Sequence, residues 1–266
     1  MGTDRYSMTT DNILWIFGDS FATPTSAAFT QNECASTNPT PKQASLPPFQ
    51  WAHQLQKLLP NCSENIQIYS QFGISNEWLF DSMRNHHSMI QTNDYVVLIT
   101  TDANRRWFFQ DRPNVSGLSN IIDFPDGFSN AELNAVKSYV THLHNNPILS
   151  ECYHETLIGW AAHLSNACRY KLCVIPAFET TPLHSAYGSL NNVCNQEFDD
   201  AKLRDYFYSL GGYADRRVNH MSKVNHGILA QKLADYFVGN TERINLDDGF
   251  VTHIYKTKED CEKYEM

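Results

Sequence analysis

A serine becomes a nucleophile where its Oγ is exposed, a base can take its proton, and N–H donors face the developing oxyanion. Gly18-Asp19-Ser20 follows directly on the apolar run Asn12–Phe17. Ser20 would therefore sit on a tight turn between a strand and a helix, with its Oγ at the top of a sheet and backbone N–H groups nearby. Such a serine can also simply cap a helix, and the turn is not the GxSxG elbow of α/β-hydrolases. The matching base is sought in Arg217-Val-Asn-His220-Met-Ser-Lys-Val-Asn-His226, which leads into an amphipathic segment. Histidine is the side chain best tuned to accept a proton near neutral pH. A histidine in the loop before the last helix would lie over the carboxyl edge of the sheet, near Ser20. Ser222 reads as the cap of that helix, and His226, inside it, as a packing or surface residue.

The elements that must position these groups alternate. Short apolar runs predict strands at Asn12–Phe17, Ile66–Ser70, Tyr95–Thr100 and Leu172–Phe178. Helical apolar spacing predicts helices at Trp51–Leu59, stopped by Pro60, and at Glu77–Met89. Further helices are expected at Ala131–Asn145, Ser150–Arg169 and Ser222–Phe237, the last with Ile228, Leu229, Leu233 and Phe237 on one face. Segments 22–48 and 111–129 read as irregular excursions shaping a substrate rim, and the stretch after Phe178 to Asn195 as loop. Strands alternating with helices predict an α/β protein: a three-layer α/β/α sandwich with a mostly parallel, flavodoxin-like central sheet. Ligands in such sheets bind outside the carboxyl ends of the strands, where the chemically interesting residues fall. The 266 residues suit a single domain spanning 1–266, with 1–11 an N-terminal arm and 240–266 a C-terminal extension.

A formal charge of −9 argues against a nucleic-acid partner, which demands a basic face, and against docking on an anionic membrane. No run is long and apolar enough to span a bilayer, and the polar segment Met1–Asn12 lacks a signal-peptide core. The expected location is therefore cytoplasmic or within a virus particle. The seven cysteines include no CxxC pair and read as free thiols in a reducing compartment. Cys173, in an apolar run, reads as a buried thiol. His86-His87 and His142-x-His144 have no carboxylate at ligand spacing, so no metal and no cofactor is assigned.

Ile13-Leu-Trp-Ile-Phe-Gly-Asp-Ser-Phe21 resembles the first block of the SGNH (GDSL-like) hydrolase superfamily. Phe72-Gly73-Ile-Ser-Asn76 resembles its second block, and His220-Met-Ser-Lys-Val-Asn-His226 followed by Gly-Ile-Leu-Ala resembles its last. The blocks come in family order along nearly the whole chain. The resemblance implies Ser20 as nucleophile, with its own N–H and that of Gly73 donating to the oxyanion, and His220 as general base. It implies a metal-free esterase working through an acyl-enzyme, on a small ester or an acetylated glycan; it specifies no oligomeric state.

Two positions depart from the family pattern. The third block usually ends its strand in Gly-x-Asn-Asp, whose asparagine is a third oxyanion donor; here the chain runs Thr100-Thr-Asp-Ala-Asn104-Arg105-Arg106. Asn104 is the candidate, with Thr101 and Asp102 as substitutes; Asp19, in the Ser20 turn, is grouped with the oxyanion and substrate-binding residues. The family's aspartate three residues before the histidine is replaced by Arg217, which leaves Asp215, five before, or a backbone carbonyl to orient His220. Arg105 and Arg106 read as surface charge or structural ion pairs, or as a clamp for a substrate carboxylate or phosphate. Trp107-Phe108-Phe109 reads as core or lid packing, or as a sugar-stacking platform. The competing expectation is a catalytically weak or inactive SGNH scaffold that binds glycans or serves a structural role. A nucleotide-binding flavodoxin-like reading would want a glycine-rich phosphate loop, and Phe21-Ala-Thr-Pro-Thr offers none.

Overall fold

Among the described residues, four segments built round apolar runs become the strands of one parallel sheet. They are β1 (Asn12–Gly18), β2 (Cys62–Ser70), β3 (Tyr95–Thr100) and β4 (Lys171–Pro176), in the order β2-β1-β3-β4. A computed structural model describes residues 11–22, 50–70, 74–107, 129–142, 146–178, 180–193, 196–209 and 221–265. Ile16 lies opposite Ile68 on one side and Val97 on the other, and Val97 opposite Cys173. Strands of this kind are apolar on both faces because both faces are covered.

Alternation along each strand sorts the core into two layers. Leu14, Ile16, Val97, Ile99, Cys173 and Ile175 face helices α1 (Trp51–Leu58) and α7 (Lys223–Phe237), meeting Trp51, Leu55, Leu229, Leu233 and Phe237. Trp15, Phe17, Tyr69, Val96, Leu98 and Val174 face α2 (Asn76–His86) and α4 (Pro147–Cys168), meeting Trp78, Leu79, Met83 and Ile158. The protein is thus an α/β/α sandwich. Each fully buried Leu, Ile, Val or Phe contributes roughly 1.5–3 kcal/mol, so the sheet is held from both sides.

Local chemistry sets the ends of these elements. Ser75, Asn146 and Ser222 cap α2, α4 and α7 by accepting from the N–H of Trp78, Leu149 and Asn225. Pro147 takes the first helical position of α4, where no N–H is needed. α7 is followed by Gly239 in the left-handed region, with Asn240 N donating to Asp235 O. A 3-10 turn, His87–Met89, extends α2, and α3 (Asn130–His142) precedes α4.

One buried carboxylate fixes the amino end of the sheet. Asp94, 2% exposed, accepts from Ile13 N (2.8 Å), Trp15 Nε1 (2.9 Å) and Gln91 N (2.9 Å). It locks β1 to the start of β3, with three donors offsetting the cost of burying the carboxylate.

The structure adds short elements, the first two of them where loop was expected. These are β5 (Ala186–Tyr187), α5 (Leu190–Val193), β6 (Gln196–Phe198) and α6 (Ala201–Ser209). The segment after Gly239 is structured too, as β7 (Ile244–Asn245), β8 (His253–Tyr255) and α8 (Lys258–Glu265). β7 pairs with β5 and β8 with β6, both parallel. Ile244 and Leu246 enter the main core, while Tyr255 and Cys261 join Leu203 and Phe207 in a satellite cluster. Strands of two or three residues carry no readable periodicity, so their pairing rests on distant partners. Asn225 reinforces the junction, bonding Val193 O and both backbone groups of Val251.

Candidate functional site

The strand order reverses between β1 and β3, since β1 connects outward to β2 while β3 and β4 lie on its other side. The crevice outside the carboxyl ends at such a reversal is where open α/β sheets bind ligands. Asp19 and Ser20 leave β1 at this point, and Thr101–Arg105 leave β3 beside it.

Gly18 allows the β1 exit. A Cβ there would lie 2.7 Å from Ala22 Cβ and 2.9 Å from Ile99 Cβ, distances side chains do not adopt. The chain therefore turns immediately against β3. Asp19, 1% exposed, holds the turn by accepting from Phe21 N at 3.0 Å through Oδ1, and Ala22 N donates to Asp19 O. Ser20 is half-buried beside it. Trp51 Nε1 donates to Phe21 O (3.1 Å), and Trp51 N donates to Nδ1 of His226 (3.3 Å). His226 is buried, as expected of a packing residue, and caps the first turn of α1 from α7.

The β3 exit is clamped by Asn76, the first residue of α2. Its Oδ1 accepts from Thr101 N (2.8 Å), and its Nδ2 donates to Thr101 O (3.0 Å) and to His154 Nδ1 (2.8 Å). Thr101 N–H is thereby consumed and leaves no donor for an oxyanion. The turn continues with Asn104 N donating to Asp102 Oδ1 (2.7 Å) and Arg105 N to Asp102 O (3.1 Å). Asn104 is half-buried in this turn. Arg105 joins three strand ends. Its Nη1 donates to Thr101 Oγ1 (2.7 Å) and Ile74 O (3.5 Å) and lies 3.9 Å from Asp19 Oδ2. Its Cζ stands 5.0 Å over the Phe178 ring beyond β4. Arg106 is spent on structure: it donates to Ala103 O, Arg105 O and Ser150 Oγ, lies 3.6 Å from Glu77 Oε1, and faces the Tyr153 ring. Trp107 packs against the α2/α4 layer.

Behind the β3 exit lie two buried histidines that sequence reasoning did not single out. His154 is on the inward stripe of α4 with Ser150, Ile158 and Ala161. His184 follows β4 and contacts Thr100 Oγ1 through Nε2 at 2.9 Å. Thr181 N–H donates to His184 Nδ1 (2.8 Å), so the neutral ring carries its proton on Nε2 and donates to Thr100. Asn76 likewise fixes His154 with a bare Nδ1, because Thr101 dictates which amide atom is nitrogen. The rings lie 5.5 Å apart. Burial pushes His154 down to about 4, with a smaller upward pull from Asp102 and a downward push from Arg106. Burial pushes His184 down to about 3, with His154 and Arg243 adding to it. The one available signal was His154's place four residues after Ser150 and four before Ile158.

Of the residues expected at the site, the structure brings Asp19, Ser20, Asn104 and Arg105 to the carboxyl edge. Gly73, Asp215 and His220 lie outside the described residues, as do Phe108, Phe109 and nearly all of the two proposed rim segments. The described chain resumes at Met221, one residue after His220; Met221 is buried in the α1/α7 layer that also holds Phe21. Among the described residues no three His, Cys, Asp or Glu side chains gather as a metal site. No helix among them is long and apolar enough to cross a membrane. Cys62, Cys152, Cys168 and Cys173 are free thiols, and burial pushes the Cys173 thiol well above its usual range. No protein-family model matches the chain, and no significant match is found among curated proteins or solved structures.

Proposed function

We propose that the protein is a serine esterase of the SGNH type, hydrolysing a small acyl ester such as an O-acetyl group on a carbohydrate. The observation that carries this reading is the position of Ser20, on a glycine-permitted turn at the β1/β3 reversal. In this mechanism His220 takes the Ser20 proton as Oγ attacks the ester carbonyl. The oxyanion is met by the N–H groups of Ser20 and Gly73 and by the Asn104 side chain. The tetrahedral intermediate expels the alcohol, which receives the proton from His220. Water activated by His220 then frees Ser20 from the acyl group. Asp215 or a backbone carbonyl would orient the imidazole.

The β3 turn favours a second reading, an SGNH scaffold with little or no catalysis that binds glycans. Thr101 N–H is tied to Asn76, and Asn104 N–H to Asp102, so the third donor depends on one side-chain amide. A missing oxyanion donor costs about 2.7–4 kcal/mol in the transition state.

The deciding experiment is hydrolysis of 4-nitrophenyl acetate by wild type, Ser20→Ala and His220→Ala, with fluorophosphonate labelling. The esterase reading expects turnover and labelling at Ser20, both lost in the variants, with kcat/KM down by about three orders of magnitude or more. A folded wild type that neither labels nor turns over moves the weight to the binding scaffold.

A further inference from the structure

The geometry points to Arg105 as the residue that selects the substrate of this site, by pairing with a carboxylate carried on the ester. The inference rests on the esterase reading for the word substrate, but the pairing itself is a binding property.

Arg105 differs from its neighbour in how its donors are used. Arg106 commits Nη1, Nη2 and Nε to protein oxygens. Arg105 makes its directional contacts through Nη1 alone: Thr101 Oγ1, Ile74 O and, at 3.9 Å, Asp19 Oδ2. Among the described residues, Nε and Nη2 have no partner. These two atoms form the edge of a guanidinium that accepts both oxygens of a carboxylate in parallel.

That edge is held rather than free. Nη1 is tied to the carboxyl ends of β2 and β3, and the Cζ sits 5.0 Å above Phe178, itself packed edge-on by Phe21 at 6.1 Å. The side chain is only 20% exposed. A planar group anchored at one nitrogen and supported on a ring loses little entropy on binding an anion. Partial burial raises the strength of the resulting charge-assisted bonds above that of a surface pair. Asp19, next to Ser20, is the acid that approaches Arg105, which places the cation within one residue of the nucleophile's turn. The chain carries a net charge of −9, so an anionic substrate must be received by a local cation, and Arg105 is placed at the reversal to do so.

The test uses the Ser20→Ala protein, which holds esters without consuming them, and two isosteric probes: monomethyl succinate and methyl succinamate. Binding is followed by titration calorimetry. The succinate ester is expected to bind about tenfold or more tightly than its amide. Adding Arg105→Gln should bring the ratio near one, and Arg105→Lys, which keeps charge but not the planar edge, should leave a few-fold preference. A ratio near one with Arg105 present overturns the inference, as does a preference that persists in Arg105→Gln. If Arg105→Gln loses its cooperative melt, the first ratio and the Arg105→Lys ratio decide. Wild-type hydrolysis separates the two claims. Turnover without discrimination leaves the esterase and removes the carboxylate. Arg105-dependent discrimination without turnover leaves the carboxylate site and removes the esterase.

Discussion

Asn76 grips Thr101 by both backbone polar groups, accepting from its N–H at 2.8 Å and donating to its carbonyl at 3.0 Å. A side chain at the first turn of α2 thus completes, for one residue, the ladder that β3 has just left. Its remaining amide hydrogen goes to His154, so one asparagine joins a strand end and two helices of the same layer.

Replacing Asn76 with alanine strands three buried groups at once: the N–H and C=O of Thr101 and Nδ1 of His154. At about 1–3 kcal/mol for each unsatisfied group, partly relieved by relaxation and water, the expected loss is on the order of 3 kcal/mol in denaturant unfolding. Asn76→Asp should behave differently. It keeps the acceptor for Thr101 N–H but offers no hydrogen to His154, so the ring should take up a proton and its pKa should rise. NMR titration of His154 in that variant checks this; an unchanged titration would mean that the 2.8 Å contact does not govern the ring.

The buried histidine pair makes stability fall in acid. Both rings are held neutral when folded, with values pushed down to about 4 for His154 and about 3 for His184, whereas both take protons near 6.5 in the unfolded chain. Between those values the unfolded state binds more protons, so stability rises with pH there. The loss should begin as pH drops through 6.5 and flatten only below about 3. For His154 alone it is on the order of 3 kcal/mol. Protonation sets an N–H of His154 against Asn76 Nδ2–H, and one of His184 against Thr181 N–H. The facing charges are Asp102, which favours the proton on His154, Arg106, which opposes it, and Arg243, which opposes a proton on His184. Denaturant melts from pH 7 to 4 should show the slope in wild type and a shallower one in His154→Gln. Equal slopes would sink the account.

Gly18→Ala tests the β1 exit. The added methyl must displace Ala22 or Ile99, both in the core. Overpacking of this kind costs about 1–3 kcal/mol. Because Ser20 rides on the displaced turn, fluorophosphonate labelling of wild type should be lost or strongly slowed in Gly18→Ala even where the variant remains folded. Wild-type labelling rates in the folded variant would show that the close approach does not position Ser20.

Asp94→Ala removes the acceptor for three N–H groups at the other end of the sheet. A loss of about 3 kcal/mol or more is expected, with early exchange of the Ile13 amide. Because Asp94 is remote from the carboxyl edge, ester turnover per folded molecule should stay near wild type.

What the sequence made legible is local or repetitive. The runs Leu14–Phe17 and Val96–Ile99 announce buried parallel strands because both faces need apolar residues. Pro60 and Ser222 mark helix ends through chemistry confined to one turn. Ser20 was visible because glycine, acid and serine sit together at a strand end. The groups that tie the edge together were not visible, because each finds its partner far along the chain. Asn76 meets His154 across 78 residues, Thr100 meets His184 across 84, and Asp94 meets Trp15 across 79. In one dimension each is merely one polar residue among others. The strands at 186–187 and 244–245 escaped for the same reason: a two-residue ladder is defined by its partner, not by its own pattern.

The β5/β7 and β6/β8 pairs also bear on how the chain is made. By Pro176 all four strands of the central sheet have been synthesised, together with α2 and α4, which cover one face. Among the described residues, the opposite face has α1, and then Ala186, Leu190 and Val193, until residues 223–237 emerge, and Ile244 and Leu246 complete it later still. A ribosome adding about 5–20 residues per second therefore leaves Val97, Ile99, Cys173 and Ile175 under-covered for several seconds. In that interval the half-built sheet is a surface for chaperones or for neighbouring nascent chains, and a stop codon before residue 223 would make the condition permanent.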